Sequence, residues 1–167
     1  RERGNAPPSP GEIRSLEKYL EAKHSPDQDE FFGLARGKNL MLVQIEALQE
    51  WVIGARVRGV EITPFLNRLV RERAFYFSGV WDQTAVSSTA DSEFLTLNSL
   101  HPFPDGAVVF RYAGNDFVAM PRVMARAGYA TLSLHAFDRG FWNRAVVHPR
   151  YGFQSSYFDR ALGTTPK

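Results

Sequence analysis

Asn39 to Ile45 reads Asn-Leu-Met-Leu-Val-Gln-Ile, a short apolar run with strong β character. It is too short to cross a bilayer, and it is apolar at odd and even positions alike. A strand of that kind needs cover on both faces, which a parallel sheet with helices above and below supplies. Ala74 to Trp81 and Tyr129 to Leu134 have the same character and predict two more strands; Val108 to Tyr112 predicts a further short one. Between them lie helical patterns. Ser9-Pro10-Gly11-Glu12 gives a cap and a first-turn proline, and Ile13, Leu16 and Leu20 mark one face running to about Ala22. Thr63-Pro64 opens a second helix, with Ile62, Phe65, Leu66, Leu69 and Val70 at helical spacing. Met120, Val123, Met124 and Ala127 form a third stripe, closed by Gly128. This alternation predicts an α/β fold with a mostly parallel sheet and flanking helices.

Composition narrows the function classes. Hydrophobic residues make up 44% of the 167 and phenylalanine occurs 13 times, so a packed core is feasible. The net charge of +2 is small and its basic residues are dispersed, which argues against a nucleic-acid partner. No cysteine is present, which excludes disulfides and thiolate metal sites. No apolar run reaches bilayer length, so the chain is expected to be soluble. The tail Arg1 to Pro10, a short helix and the connector His24 to Gly37, with acidic residues from Asp27 to Glu30, form a first segment over residues 1–37.

In open parallel sheets, ligands sit beyond the carboxyl ends of the strands. Glu46, the hydroxyl-rich stretch Gln83 to Leu100 and His135 each follow a predicted strand, so they are expected to converge on one edge. Within that stretch, Thr89 falls where a helix begins. A hydroxyl there meets the positive end of the helix dipole. Thr89 is either a nucleophile or a helix N-cap, with Asp91 and Glu93 favouring the dipole. A nucleophilic Thr needs a base or a metal. A divalent ion held between Glu46 and Thr89 would lower the hydroxyl pKa; otherwise Glu46 caps a helix or pairs with an arginine. His135 to Arg144 brings a histidine, the Trp142 indole and the Arg144 guanidinium into one segment. Arg144 suits a phosphate, His135 suits its oxygens and Trp142 suits an apolar wall beside a glycerol unit; a loop histidine, a buried indole and a surface arginine are the plainer reading. His24, His101 and His148 show no metal-ligand spacing, and no Gly-rich phosphate cradle occurs.

The ordered set Lys38 to Glu46, Thr63-Pro64 to Leu69, Gln83 to Phe94, Asn98-Ser99-Leu100, His135 to Arg144 and Tyr151-Gly152-Phe153 resembles the extracellular catalytic domain of lipoteichoic acid synthases. These are phosphoglycerol transferases of the sulfatase/alkaline phosphatase superfamily. The resemblance assigns residues 38–167 to the N-terminal portion of such a domain. It implies that Thr89 is nucleophile and metal ligand, that Glu46 is a metal ligand, and that His135, Trp142 and Arg144 line a glycerol-phosphate site. It implies a manganese or magnesium ion, phosphatidylglycerol as donor, a growing glycerol-phosphate polymer as acceptor and a glycerophosphoryl-threonine intermediate. The location implied is the outer face of a bacterial membrane, with anchoring segments outside this sequence. Water as acceptor, giving a phosphodiesterase, phosphatase or sulfatase, and a non-catalytic anion-binding fragment are the alternatives.

Two departures carry expectations. The family's nucleophile is commonly preceded by Gly-Lys and followed by Ser-Asp, whereas Ser87-Ser88 and Ala90-Asp91 flank Thr89 here, which bears on acceptor or lipid preference. The family's Asp-His metal pair and a further substrate histidine lie C-terminal of the matched region. The chain is therefore expected to be truncated, inactive alone, weak in metal binding and prone to associate through an open sheet edge or with a C-terminal half.

Overall fold

The computed structural model describes residues 7–22 and 30–164. His24 and the acidic positions 27–29 lie outside the described residues. The chain forms two compact units, residues 1–43 and 44–167.

In the first unit, helix α1 spans Pro10–Ala22. Its start is a reciprocal capping box. The Ser9 backbone N–H donates to Glu12 Oε2 at 2.8 Å and the Glu12 N–H to Ser9 Oγ at 3.3 Å. Residues 38–43 then form no helix and join no sheet among the described residues.

The second unit opens with a 3₁₀ turn, Glu50–Val52, and a hairpin of β1 (Arg56–Val57) and β2 (Val60–Glu61). Arg58 and Gly59 both have positive φ, as a type I′ turn requires. Helix α2 (Pro64–Glu72) starts at the expected proline. Thr63 does not cap it. Its hydroxyl turns instead to the Val52 carbonyl at 2.9 Å and to Asn67 Oδ1 at 3.1 Å.

The core lies among helices α3 (Ser88–Asn98), α4 (Val108–Arg111), α5 (Met120–Arg126) and α6 (Arg144–Tyr151). Helix α3 contributes Ala90, Phe94 and Leu97, α4 Val108 and Val109, and α6 Val147 and Tyr151. Phe94, Phe117 and Tyr151 interlock, with centroids 5.3–6.4 Å apart. The inward stripe of α6 is 144, 147, 148, 151, so Arg144 and His148 are buried beside apolar residues. Such buried charged positions need specific partners.

Strands β3 (Leu132–Leu134) and β4 (Ser155–Tyr157) pair in parallel, with Leu132 opposite Ser155 and Leu134 opposite Tyr157, and α6 lies on the crossover between them. A short helix α7, Asp159–Leu162, follows. The β3–α6–β4 unit is the parallel α/β arrangement the alternation predicts. The other strand expectations need correction. Val108 to Tyr112 is helical, a choice that a five-residue apolar run leaves open. Residues 39–45 and 74–81 carry no strand ladder among the described residues, and the second stretch bends at Gly79, whose φ is 67°. Their side chains are also not buried, with Met41 86% and Trp81 83% exposed. The apolar pattern states a need for cover on both faces; no neighbouring strand provides it among the described residues.

Candidate active site

Glu46 lies at the first position of a turn that ends the apolar run, and Ala47 after it takes a left-handed φ of 57°. That strained backbone swings the chain away directly after the carboxylate. Thr89 is the second residue of α3, two residues after the N-cap Ser87, so it is not the N-cap. The hydroxyl of Thr89 donates to Glu46 Oε1 at 2.9 Å. Gln44 Nε2 donates to the Thr89 carbonyl at 3.1 Å, a second tie between the two segments. Asp91, fully buried, accepts the N–H groups of Ala85 and Ser87 at 3.0 Å each through Oδ2. It folds the preceding loop back onto α3 and so fixes how Thr89 is presented.

His135 immediately follows β3, and its N–H donates to the Tyr157 carbonyl at 3.0 Å. Burial pushes its imidazole below the ordinary histidine range; the Arg144 charge adds to this, and the Glu93 charge opposes it. Its Nδ1 is sealed from solvent without a well-formed hydrogen bond, although the Phe137 backbone weakly favours the charged form. Trp142 sits in the 3₁₀ turn Phe141–Asn143 with a left-handed φ of 53°. Its ring packs on Phe110 and Phe141, with centroids 6.1 and 5.7 Å away. Asn143, also left-handed, donates from Nδ2 to the Val109 carbonyl at 2.7 Å and holds this turn on α4.

Arg144 is the first residue of α6 and only 3% exposed, so it is neither in a loop nor at the surface. Its Nε donates to Glu93 Oε2 at 3.1 Å, and Nη1 donates to the Phe141 carbonyl at 3.3 Å. The other Glu93 oxygen, Oε1, lies 2.5 Å from His148 Nε2. Burial pushes the Glu93 carboxyl up, but the His148 hydrogen bond and the His148 and Arg144 charges outweigh it and hold the group below the ordinary value.

Of the predicted residues, Thr89 and Glu46 are in direct contact. His135 and Arg144 are electrostatic neighbours, and Arg144 reaches α3 through Glu93. Trp142 lies two residues before Arg144, and both its ring and the Arg144 guanidinium pack on Phe141. Sequence reasoning missed Glu93 and His148 as a pair. The available signal was spacing: Thr89/Glu93 and Arg144/His148 are each four residues apart, hence on one face of their helices. Among the described residues no three His, Cys, Asp or Glu side chains cluster as a metal site.

The Thr89–Glu46 hydrogen bond at the start of α3 and the buried Arg144 on the β3–α6–β4 unit are the site's main features, and comparison gives the class of protein. Residues 38–166 match the sulfatase family model, and the chain belongs to the sulfatase family. Within it the chain is similar to lipoteichoic acid synthases. It is 33% identical over 153 residues to lipoteichoic acid synthase 2 of Bacillus subtilis (strain 168), covering 89% of this chain and 24% of that protein. It is 38% identical over 148 residues to the lipoteichoic acid synthase-like YvgJ of the same organism, covering 88% and 24%. The crystal structure of the lipoteichoic acid synthase LtaP from Listeria monocytogenes superposes with a TM-score of 0.82 at 29% identity, over 88% of this chain and 36% of that one. The fold is therefore the sulfatase-like α/β fold. The chain spans about a quarter of the length of the relatives it matches. No helix among the described residues is long and apolar enough to cross a membrane.

Proposed function

We propose that this chain carries the nucleophile half of a phosphoglycerol transferase site. The observation that carries this reading is the 2.9 Å hydrogen bond from Thr89 Oγ1 to Glu46 Oε1 at the N-terminus of α3. In it, Thr89 Oγ attacks the phosphorus of phosphatidylglycerol and passes its proton to Glu46. The P–O bond to diacylglycerol breaks, the diacylglycerol oxygen takes the proton that Glu46 received, and glycerophosphoryl-Thr89 remains. A terminal glycerol hydroxyl of a glycerol-phosphate polymer then attacks the same phosphorus, gives its proton to Glu46, and frees Thr89 as the P–O bond to Oγ breaks and Glu46 returns the proton to Oγ. The N-terminal dipole of α3 favours the negative charge that develops at Oγ.

The two oxygens also fit part of a hard-cation site. Glu46 and Thr89 would hold manganese or magnesium, which supplies charge neutralisation and a lowered hydroxyl pKa when bound. Arg144, with Nε and Nη1 already engaged, would meet a phosphate oxygen through Nη2. His135 would donate to the same group, and Trp142 would wall the glycerol. The relatives' printed names support lipoteichoic acid synthesis as the setting; this reading places the reaction at the outer face of a bacterial membrane.

The test uses the longest natural polypeptide carrying this sequence and phosphatidylglycerol labelled in its headgroup glycerol. Label on a polymer or acceptor supports transfer. Free labelled glycerophosphate as the sole product would replace transfer by hydrolysis. Label transfer undiminished in Thr89→Ala would refute the nucleophile assignment.

A further inference from the structure

Glu93 lies in the hydroxyl-rich stretch, where sequence gives it no role beyond the helix dipole, yet it is the residue on which two buried basic side chains converge. It lies one turn after Thr89 on α3. It faces Arg144 and His148, one turn apart on α6 and each 3% exposed. Its carboxylate is divided between them, Oε2 taking Arg144 Nε at 3.1 Å and Oε1 meeting His148 Nε2 at 2.5 Å. A carboxylate meeting both terminal nitrogens would consume the fork that binds a phosphate. This one takes the guanidinium at Nε instead. The Phe141 carbonyl takes Nη1 at 3.3 Å, and the guanidinium carbon stands 5.9 Å over the Phe141 ring. Nη2 makes no hydrogen bond among the described residues and is not one of the sealed polar atoms.

His148 holds the other end. Its Nδ1 is 2.8 Å from Ser133 Oγ on β3, which is 2.9 Å from Ser156 Oγ on β4. The carboxylate is thus anchored to the parallel strand pair that ends at His135.

We propose that Glu93, braced by His148, is the positioning residue for Arg144: it holds the guanidinium by Nε so that Nη2 faces a glycerol-phosphate anion. This rests on the reading of Arg144 as a phosphate contact. Holding a long side chain in place before the ligand arrives removes the ordering cost from binding. Glu93 touches no reacting atom, so its substitution acts through the geometry of Arg144.

The test titrates the longest natural polypeptide carrying this sequence with glycerol 3-phosphate, following affinity by calorimetry and the Arg144 Nε–H resonance by NMR. Glu93→Asp keeps the charge and shortens the reach, and Glu93→Gln keeps the shape and removes the charge. Tyr151→Phe, in the same core, is the control. The expected result is a folded Glu93→Asp variant with a displaced Arg144 Nε–H signal and affinity weakened about tenfold, the lower end for lost supporting partners. Tyr151→Phe keeps both wild-type values. Glu93→Gln shows the same loss where it folds, and Glu93→Asp alone decides where it does not. Affinity unchanged in folded Glu93→Asp, even with lowered thermal stability, makes Glu93 merely structural and overturns the proposal. Failure of the wild-type chain to bind glycerol 3-phosphate overturns the phosphate reading of Arg144 and this proposal with it.

Discussion

The hydroxyl of Thr89 reaches Glu46 at 2.9 Å although 43 residues separate them in the chain. The contact joins a turn with a left-handed Ala47 to the first turn of α3, two places where the backbone itself is specialised. A helix cap would have directed the hydroxyl to a backbone N–H of its own helix. Here it is turned towards a carboxylate instead, the arrangement that a nucleophile and its activator need.

Two oxygen donors form only part of a cation's shell, since Mg²⁺ and Mn²⁺ prefer about six. The chain alone is therefore expected to bind manganese weakly, with Kd on the order of millimolar, where about 4 kcal/mol is available. Calorimetry at neutral pH measures this. Tight one-to-one binding would contradict it.

Acid should unlock the Glu93 pair. The folded carboxyl is held below its ordinary value of 4.5. Its contribution is therefore present above pH 4.5 and is lost as pH falls through the folded value. Denaturant unfolding of wild type should show stability falling below pH 4.5. Glu93→Gln should be less stable at pH 7 by roughly 3 kcal/mol, because Arg144 is left buried without its counter-charge. Its stability should fall less steeply in acid. Parallel pH profiles would refute the assignment.

His135 should titrate below 6.5, in the direction that burial and the Arg144 charge impose. Its folded state disfavours the proton, so this residue reduces stability as pH falls through 6.5. Histidine C2–H chemical shifts followed from pH 8 to 5 give the midpoint. A midpoint above 6.5 contradicts the environment described.

Gly152 closes α6 with a φ of 96°, and an added Cβ would lie 2.6 Å from the Arg122 Cα. Gly152→Ala should cost roughly 2–4 kcal/mol through combined strain and overpacking. Thermal unfolding decides this; a change below about 0.5 kcal/mol would show that the α5–α6 contact yields.

The legible parts of the site were those with local signals. An apolar run ending at Glu46, hydroxyls at a helix start and a strand ending at His135 each mark a position from neighbouring residues alone. Helices α1, α2 and α5 were legible for the same reason, through caps, prolines and stripes. Strand β4 was not, because Ser155–Tyr157 is short and polar and pairs only because β3 lies beside it. The partners of Arg144 were hidden as well. Glu93 reads as an acidic residue favouring the helix dipole and His148 as a histidine without metal-ligand spacing until α3 and α6 are packed face to face, with Glu93 51 residues from Arg144 and 55 from His148 in sequence. Residues 39–45 and 74–81 show the converse, since pattern declares an extended segment but only distant chain can pair it.

The central claim is that Thr89 becomes glycerophosphorylated. The longest natural polypeptide carrying this sequence is incubated with phosphatidylglycerol and divalent metal, quenched in acid and digested. Mass spectrometry then locates any glycerophosphoryl group. The account predicts the adduct on the peptide containing Thr89, its disappearance in Thr89→Ala, and its accumulation when the acceptor is withheld. An adduct on another residue, or turnover that survives Thr89→Ala, would contradict it.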